Sequence, residues 1–187
     1  MRIISGTARG RKLHAPDGNE TRPTADRVRE SLFNIIQAHV RDARVLDIFA
    51  GTGALALEAI SRGAECAVLI DNSPDAVRVM RKNIEALRCE AKTNVIACDW
   101  KTALSRIKQT CFTIVFIDPP YHMESAYCEV MEALNVMNLI DNETLFILEL
   151  SANRDIRLPD MFCRHDKRRY GDTEIIIARR KCSEVTS

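Results

Sequence analysis

The residues with the most chemistry in them are Phe116-Ile117-Asp118-Pro119-Pro120-Tyr121, where an apolar stretch ends in an acid, two prolines and an aromatic ring. Consecutive prolines fix φ, remove two backbone donors and hold the residue before each of them extended. The product is a stiff loop that presents carbonyl oxygens. An amino group with two N–H donors fits it, one hydrogen going to the Asp118 carboxylate and the other to the Pro119 carbonyl. Tyr121 adds a flat face on which a base can stack, worth ~1–3 kcal/mol per base in nucleic-acid sites. The exocyclic nitrogen of a base is a poor nucleophile, because its lone pair is delocalised into the ring. Holding both hydrogens on acceptors favours a pyramidal nitrogen whose lone pair can attack an electrophilic carbon. Such catalysis is positioning plus stabilisation of the charge developing on nitrogen, with no metal and no covalent enzyme intermediate. Asp118, Pro119 and Tyr121 are the candidate catalytic residues; the alternative is a purely structural strand-to-loop turn.

A second signal is Val45-Leu46-Asp47-Ile48-Phe49-Ala50-Gly51-Thr52-Gly53-Ala54-Leu55-Ala56, an apolar strand ending in a small-residue turn that opens a helix. Gly51 and Gly53 allow close backbone approach to a ligand, and the helix start offers unpaired N–H groups. The turn satisfies the dinucleotide fingerprint. Asp71 ends the next apolar run 18 residues after Gly53, where an acid can hold ribose hydroxyls. These features indicate a nucleoside cofactor without choosing between NAD and S-adenosylmethionine. Asp47 tilts the choice: a carboxylate facing the turn suits a cationic methionyl ammonium and opposes a pyrophosphate. Its alternative role is to cap nearby backbone N–H groups. Asp99, in Cys98-Asp99-Trp100, can accept from an adenine amino group or can simply cap the next helix, while Trp100 or Ile48 can lie against the adenine ring. The expected cofactor set is Asp47, Phe49, Ala50, Gly51, Thr52, Gly53, Asp71, Asn72, Cys98, Asp99, Trp100 and Asp118.

The 187 residues suit one α/β domain, and 46% of them are apolar, enough for a full core. No apolar run approaches the ~20 residues of a membrane span, and the N-terminus turns polar too early for a signal peptide. Seven cysteines are dispersed without a C-x-x-C pair, the pattern of reduced thiols in a cytosolic protein. The net charge of +1 hides an uneven distribution. Residues 1–44 carry nine Lys/Arg against five Asp/Glu, residues 164–187 seven against four, and the middle eleven against seventeen. Two basic ends folded onto one rim would form an electrostatic footprint for nucleic-acid phosphate; ordinary solvated charge is the plainer alternative. Arg9, Arg11, Lys12, Arg22, Arg27, Arg168 and Arg169 are the candidate RNA contacts.

The elements that must position these residues follow from hydrophobic period. Strands are expected over Arg44–Phe49, Cys66–Asp71, Thr93–Ala97, Phe112–Asp118 and Thr144–Leu150. Helices are expected near Gly53–Arg62, Pro74–Arg88, Trp100–Lys108 and Met123–Met137. This alternation is that of a parallel sheet covered on both faces. Ser73-Pro74-Asp75 supplies an N-cap, a proline at the first helical position and an early acid, and Gly63 a left-handed C-terminal cap. Met161–Asp166 and Thr173–Arg179 read as a hairpin joined by a loop through Arg168–Asp172, its last strand antiparallel to the rest. An arm, residues 1–24, precedes a helix with Val28, Leu32, Ile35, Ile36 and Val40 on one face; residues 25–187 form the single main domain.

With these motifs in place, the chain resembles the class I S-adenosylmethionine-dependent methyltransferases and, within them, the RsmD family. The resemblance covers nearly the whole chain. It runs through Gly6-Thr7-Ala8-Arg9-Gly10-Arg11-Lys12-Leu13, Thr21-Arg22-Pro23-Thr24-Ala25-Asp26-Arg27-Val28-Arg29-Glu30, the glycine turn, Glu58-Ala59-Ile60-Ser61-Arg62-Gly63-Ala64, Asp118-Pro119-Pro120-Tyr121 and Tyr170-Gly171-Asp172-Thr173. It implies a Rossmann-like seven-stranded sheet of order 3-2-1-4-5-7-6, the last strand antiparallel, with an N-terminal β-hairpin arm. It also implies methyl transfer to the exocyclic N2 of a guanine in small-subunit (16S) ribosomal RNA. A chain of this size must borrow specificity from its substrate's shape, so a cytoplasmic monomer acting on an assembled or assembling subunit is expected. Asp71 stands where a glutamate is expected. Three rivals remain: an adenine-N6 methyltransferase on DNA or RNA, an NAD-dependent oxidoreductase, and an RNA module that only binds.

Overall fold

The computed structural model describes residues 1–15, 23–108, 111–120, 123–152 and 154–181. Its seven strands are β1 (Arg44–Ile48), β2 (Cys66–Asp71), β3 (Thr93–Ala97), β4 (Phe112–Ile117), β5 (Ile140–Ser151), β6 (Phe162–Tyr170) and β7 (Thr173–Arg180). They form one sheet in the order β3-β2-β1-β4-β5-β7-β6, the order expected from the resemblance. β1 to β5 pair in parallel, and β7 runs antiparallel to both its neighbours. The helices are α1 (Pro23–Ile35), α2 (Gln37–Val40), α3 (Ala54–Ser61), α4 (Pro74–Leu87), α5 (Trp100–Arg106) and α6 (Ala126–Val136). None of the described helices is long and apolar enough to cross a membrane.

Strand alternation sorts the apolar residues into two cores. Val45, Leu69, Ile114, Phe116, Ile147 and Ile177 point to the side of α1 to α4 and the arm. Leu46, Ile48, Ile70, Val115, Ile117 and Leu148 point to the side of α5 and α6. The same alternation dictates where polar residues at the strand ends go. Asp47 follows the parity of Val45, Asp118 that of Phe116 and Glu149 that of Ile147. Three carboxylates from three adjacent strands therefore share one face of the sheet at its carboxyl edge.

Helix starts follow the sequence signals. Ser73 caps α4 by accepting from Ala76 N, with Pro74 in the first turn, and Gly63 follows α3 with φ +106°. Three expectations need correction. Ile35 is 37% exposed, because the first helix breaks at Ile36 and Phe33 takes the buried place instead. Arg168 and Arg169 are not in the hairpin loop: β6 continues to Tyr170, leaving only Gly171-Asp172 as the turn. Ile48 is fully buried between the sheet and the second core, so it offers no surface to an adenine ring.

The arm is a short hairpin: Arg2 bridges Lys12, Ile3 N donates to Arg11 O at 2.9 Å and Gly10 N to Ile3 O at 2.8 Å. It is fastened to the domain. Glu58 on α3, with no exposed surface, accepts from Ile4 N at 2.8 Å and Ser5 N at 3.0 Å, and pairs with Arg62 at 2.7 Å. Arg29 on α1 lies 3.7 Å from the same carboxylate and donates to the Arg2 carbonyl. Gly6 packs so closely on the end of α3 that a Cβ would lie 1.8 Å from Ser61 O. An acid in the otherwise apolar stretch Ala54–Ile60 is the sequence sign of this buried network, since a carboxylate without partners there would be costly.

Candidate active site

The glycine turn between β1 and α3 is held from within. Ala50 N bonds Ile70 O at 2.9 Å and Gly53 N bonds Ala50 O at 2.7 Å. Asp71 accepts from Gly51 N through one oxygen and from Ser73 N through the other, both at 2.8 Å. Asp47 accepts from Ala56 N at 3.2 Å, the capping role open to it from sequence, while still lining the adjoining chamber. Asn83, fully buried on α4, donates to Thr52 O at 3.0 Å and exchanges two bonds with the backbone of His14. The arm and the turn thus share one bolt, which the sequence did not reveal. Gly53 has φ +76°, and a Cβ there would lie 2.9 Å from Leu69, so the residue must be glycine on both counts.

Phe49 adopts φ +68°, a conformation rare for a bulky side chain. That reversal interrupts the strand parity and sets its ring at the boundary between two chambers. The first, about 480 Å³, is bordered by the glycine turn, Asp47, Arg29 and Leu32. The second, about 340 Å³, is bordered by Asp71, Asn72, Pro119, Tyr127 and Arg154. Asp118, Glu149, Asp172 and Thr173 face both. The structure therefore joins the turn, Asp71, Asn72 and Asp118 around one divided cleft.

Other expected residues lie elsewhere. Asp99 is exposed and caps α5, accepting from Thr102 N at 3.0 Å. Trp100 is buried in the second core, with Lys101 over its ring. Neither they nor Cys98 line the two chambers. Tyr121 and Arg22 lie outside the described residues. Beyond Asp118, the Pro120 carbonyl is occupied by Met123 N at 2.8 Å. The Pro119 carbonyl receives no hydrogen bond among the described residues.

The cleft is electrostatically unfinished. Burial, opposed by the bond from Ala56 and reinforced by Asp71 and Glu149, pushes Asp47 up to about 7. Asp118 opens to water through the cleft mouth, but the surrounding walls dehydrate it. With Glu149 and Asp47 nearby, it rises to about 8. Burial also raises Glu149. Among the described residues no hydrogen bond reaches the Asp118 or Glu149 carboxylate. Three acids that repel one another fit a cationic ligand.

The basic residues surround this cleft without forming one patch. Arg9 and Arg27 are exposed along a groove of about 470 Å³ between the arm and α1. Arg11 instead reaches across to Ala86 O on α4 at 2.9 Å, and Lys12 is exposed beside it. Arg168 and Arg169 are exposed on β6, the edge strand whose turn, Gly171-Asp172, borders the cleft.

Comparison with known proteins agrees with this architecture. The YlbH protein of Bacillus subtilis is 32% identical over 186 residues, covering 97% of this chain and 100% of the relative. Ribosomal RNA small subunit methyltransferase D of Haemophilus influenzae is 31% identical over 164 residues, covering 86% and 83%. The solved structure of the yhhF protein of Escherichia coli superposes with a TM-score of 0.84 at 33% identity, covering 98% of this chain and 99% of that one. The family model described as "Conserved hypothetical protein 95" matches residues 1–179, and the chain belongs to that family, the RsmD family of methyltransferases.

Proposed function

We propose that this protein transfers a methyl group from S-adenosylmethionine to the exocyclic N2 of a guanine in small-subunit ribosomal RNA. The observation that carries the reading is the cleft's arrangement: a self-supported glycine turn beside Asp118, Glu149 and a Pro119 carbonyl that receives no hydrogen bond among the described residues. Two relatives bear on the substrate, since proteins named ribosomal RNA small subunit methyltransferase D are aligned over most of the chain.

Asp47, the Phe49–Gly53 turn, Asp71 and Asn72 would hold the cofactor. When bound, S-adenosylmethionine supplies its methyl from a sulfonium, which departs as a neutral thioether. The Asp118 carboxylate and the Pro119 carbonyl hold the two hydrogens of the target amine, turning the nitrogen lone pair towards that methyl. As the C–N bond forms, nitrogen becomes positive, and Asp118 stabilises the charge at its strongest point. The same carboxylate, with a pKa of about 8, is matched to take the proton that nitrogen then releases. Tyr121 stacks on the base, and Arg9, Arg11, Lys12, Arg22, Arg27, Arg168 and Arg169 draw in phosphate. In this reading the protein acts as a cytoplasmic monomer on an assembled or assembling subunit.

Incubation with radiolabelled S-adenosylmethionine and either naked 16S RNA or small subunits, followed by nucleoside analysis, tests this. N2-methylguanosine is expected, in greater yield from the particle. Methyl found on adenine N6, or on no nucleoside, would overturn it.

A further inference from the structure

The described part of the chemistry explains how an amine is held, but not why the amine should be guanine's. Adenine and cytosine carry exocyclic amines too. They differ in the ring atom beside the amine. Guanine has a ring N1–H next to N2, whereas the corresponding nitrogen of adenine or cytosine is a lone-pair acceptor. A carboxylate at that position accepts from guanine's N1–H, a bond that favours its ionised form, and meets only a lone pair on the other two.

Glu149 has that position. Ile48 pairs with Ile117, and Ile117 with Leu148, across β1, β4 and β5. Asp118 and Glu149 are the next residues after the paired Ile117 and Leu148, and neighbouring strands are about 4.8 Å apart. Asp118 and Glu149 thus stand side by side on one face and line both chambers. Among the described residues neither carboxylate accepts a hydrogen bond, so both are available to a ligand. The main chain at Glu149 is fixed, because Tyr127 Oη donates to its carbonyl at 2.5 Å.

Resting on the function proposed above, we infer that Glu149 is the specificity-determining residue of the target pocket: its carboxylate accepts the N1–H of guanine while Asp118 and the Pro119 carbonyl hold N2. An amine whose neighbouring ring nitrogen carries a lone pair would face that carboxylate unpaired, and a buried unpaired partner of this kind costs roughly tenfold to a hundredfold in binding.

The experiment uses the full-length protein and small-subunit RNA in which the accepted guanine, once mapped, is replaced by 2-aminopurine. That base keeps the C2 amine and loses the N1–H. The wild-type protein should prefer guanine by roughly tenfold to a hundredfold in kcat/KM. Glu149→Gln has an amide that can donate to the lone pair or accept from the N–H, so the preference should shrink to a few-fold or less. Equal use of both bases by the wild type would overturn the inference. So would a Glu149→Gln protein that loses activity on both in proportion. Because 2-aminopurine also lacks O6, the change in preference between wild type and variant is what reads the N1–H contact. If Glu149→Gln melts below the assay temperature, Glu149→Ala takes its place, with the same shrinkage expected. Methylation of no guanine at all would instead overturn the proposed function and this inference with it.

Discussion

The two halves of the cleft are built on opposite principles. On the β1–β2 side, Asp71 spends both oxygens on Gly51 N and Ser73 N, Asp47 accepts from Ala56 N, and Asn83 fastens Thr52 to the arm. On the β4–β5 side, Asp118 and Glu149 face open space with no described partner, and the Pro119 carbonyl is equally unused. The backbone of the first half is fixed before any ligand arrives, so its shape is preorganised, and only the charge of Asp47 waits for the ligand. The second half is completed by the ligand. A rigid turn can recognise a cofactor of constant shape, while an unsatisfied acid pair holds its interaction in reserve for an amine that becomes positive during the reaction.

The sharpest way to break this contrast is Asp118→Ala. Turnover should fall about 10²–10³-fold, the typical loss for one preorganised electrostatic partner. Affinity for S-adenosylhomocysteine should barely change. Asp118→Asn should keep part of the activity, because the amide oxygen still accepts a hydrogen bond after the charge is gone. Single-turnover methyl transfer at saturating cofactor measures the first quantity, calorimetry the second. Wild-type turnover in Asp118→Ala would reduce the tetrapeptide to a turn.

Asp71→Ala should give the mirror image. Losing two bonds to a charged acceptor loosens the glycine turn, and S-adenosylhomocysteine affinity should drop by roughly tenfold to a hundredfold. Turnover at saturating cofactor should stay near wild type. If turnover falls while affinity holds, the turn is not the preorganised half.

The acids also make stability depend on pH, with a sign that can be worked out. Asp47 has a folded pKa of about 7 against an ordinary 3.8. Between those values the native state keeps a proton that the unfolded chain has released, so stability falls as pH rises through the window. Asp118 shifts in the same direction, but water at the cleft mouth screens it and its share is small. The unliganded protein should melt at a temperature on the order of 5 °C lower at the alkaline end than at the acid end. Asp47→Asn should flatten the profile, and added S-adenosylmethionine should restore more stability at high pH than at low. A melting temperature that rises across this range would mean the acids are neutralised within the fold.

The smallest effects belong to the rim. Replacing Arg9, Arg27, Arg168 and Arg169 by alanine should weaken RNA binding and flatten its salt dependence by up to ~0.7–0.9 in the log–log slope per lost phosphate contact. Filter binding across a salt series reads this directly. A parallel loss of cofactor affinity would show that the arm serves the first half of the cleft and not the RNA.

Strand and helix positions could be read from the residues because apolar period and caps are local: β2, β3 and the start of α4 fall where the sequence puts them. The sheet order came from the family resemblance. The turn, Asp71 and Asp118 were legible as well, since glycines after a strand and an Asp-Pro-Pro run announce themselves. Glu149 was not. It sits in Thr144–Leu150 as one acid in an apolar strand, and only the pairing of β5 with β4 brings it beside Asp118. The partners of Asn83 and Glu58 were hidden for a similar reason: they lie at least 31 and 29 residues away, apart from the local pair of Glu58 with Arg62. Asp99 takes the helix-cap role left open to it, and Trp100 packs in the second core; a cap and a core indole have the same residue types as an adenine contact. Sequence by itself determined the elements and the chemistry available at their ends. Tertiary structure decided which ends share a face, because parity along each strand is local but the register between strands is not.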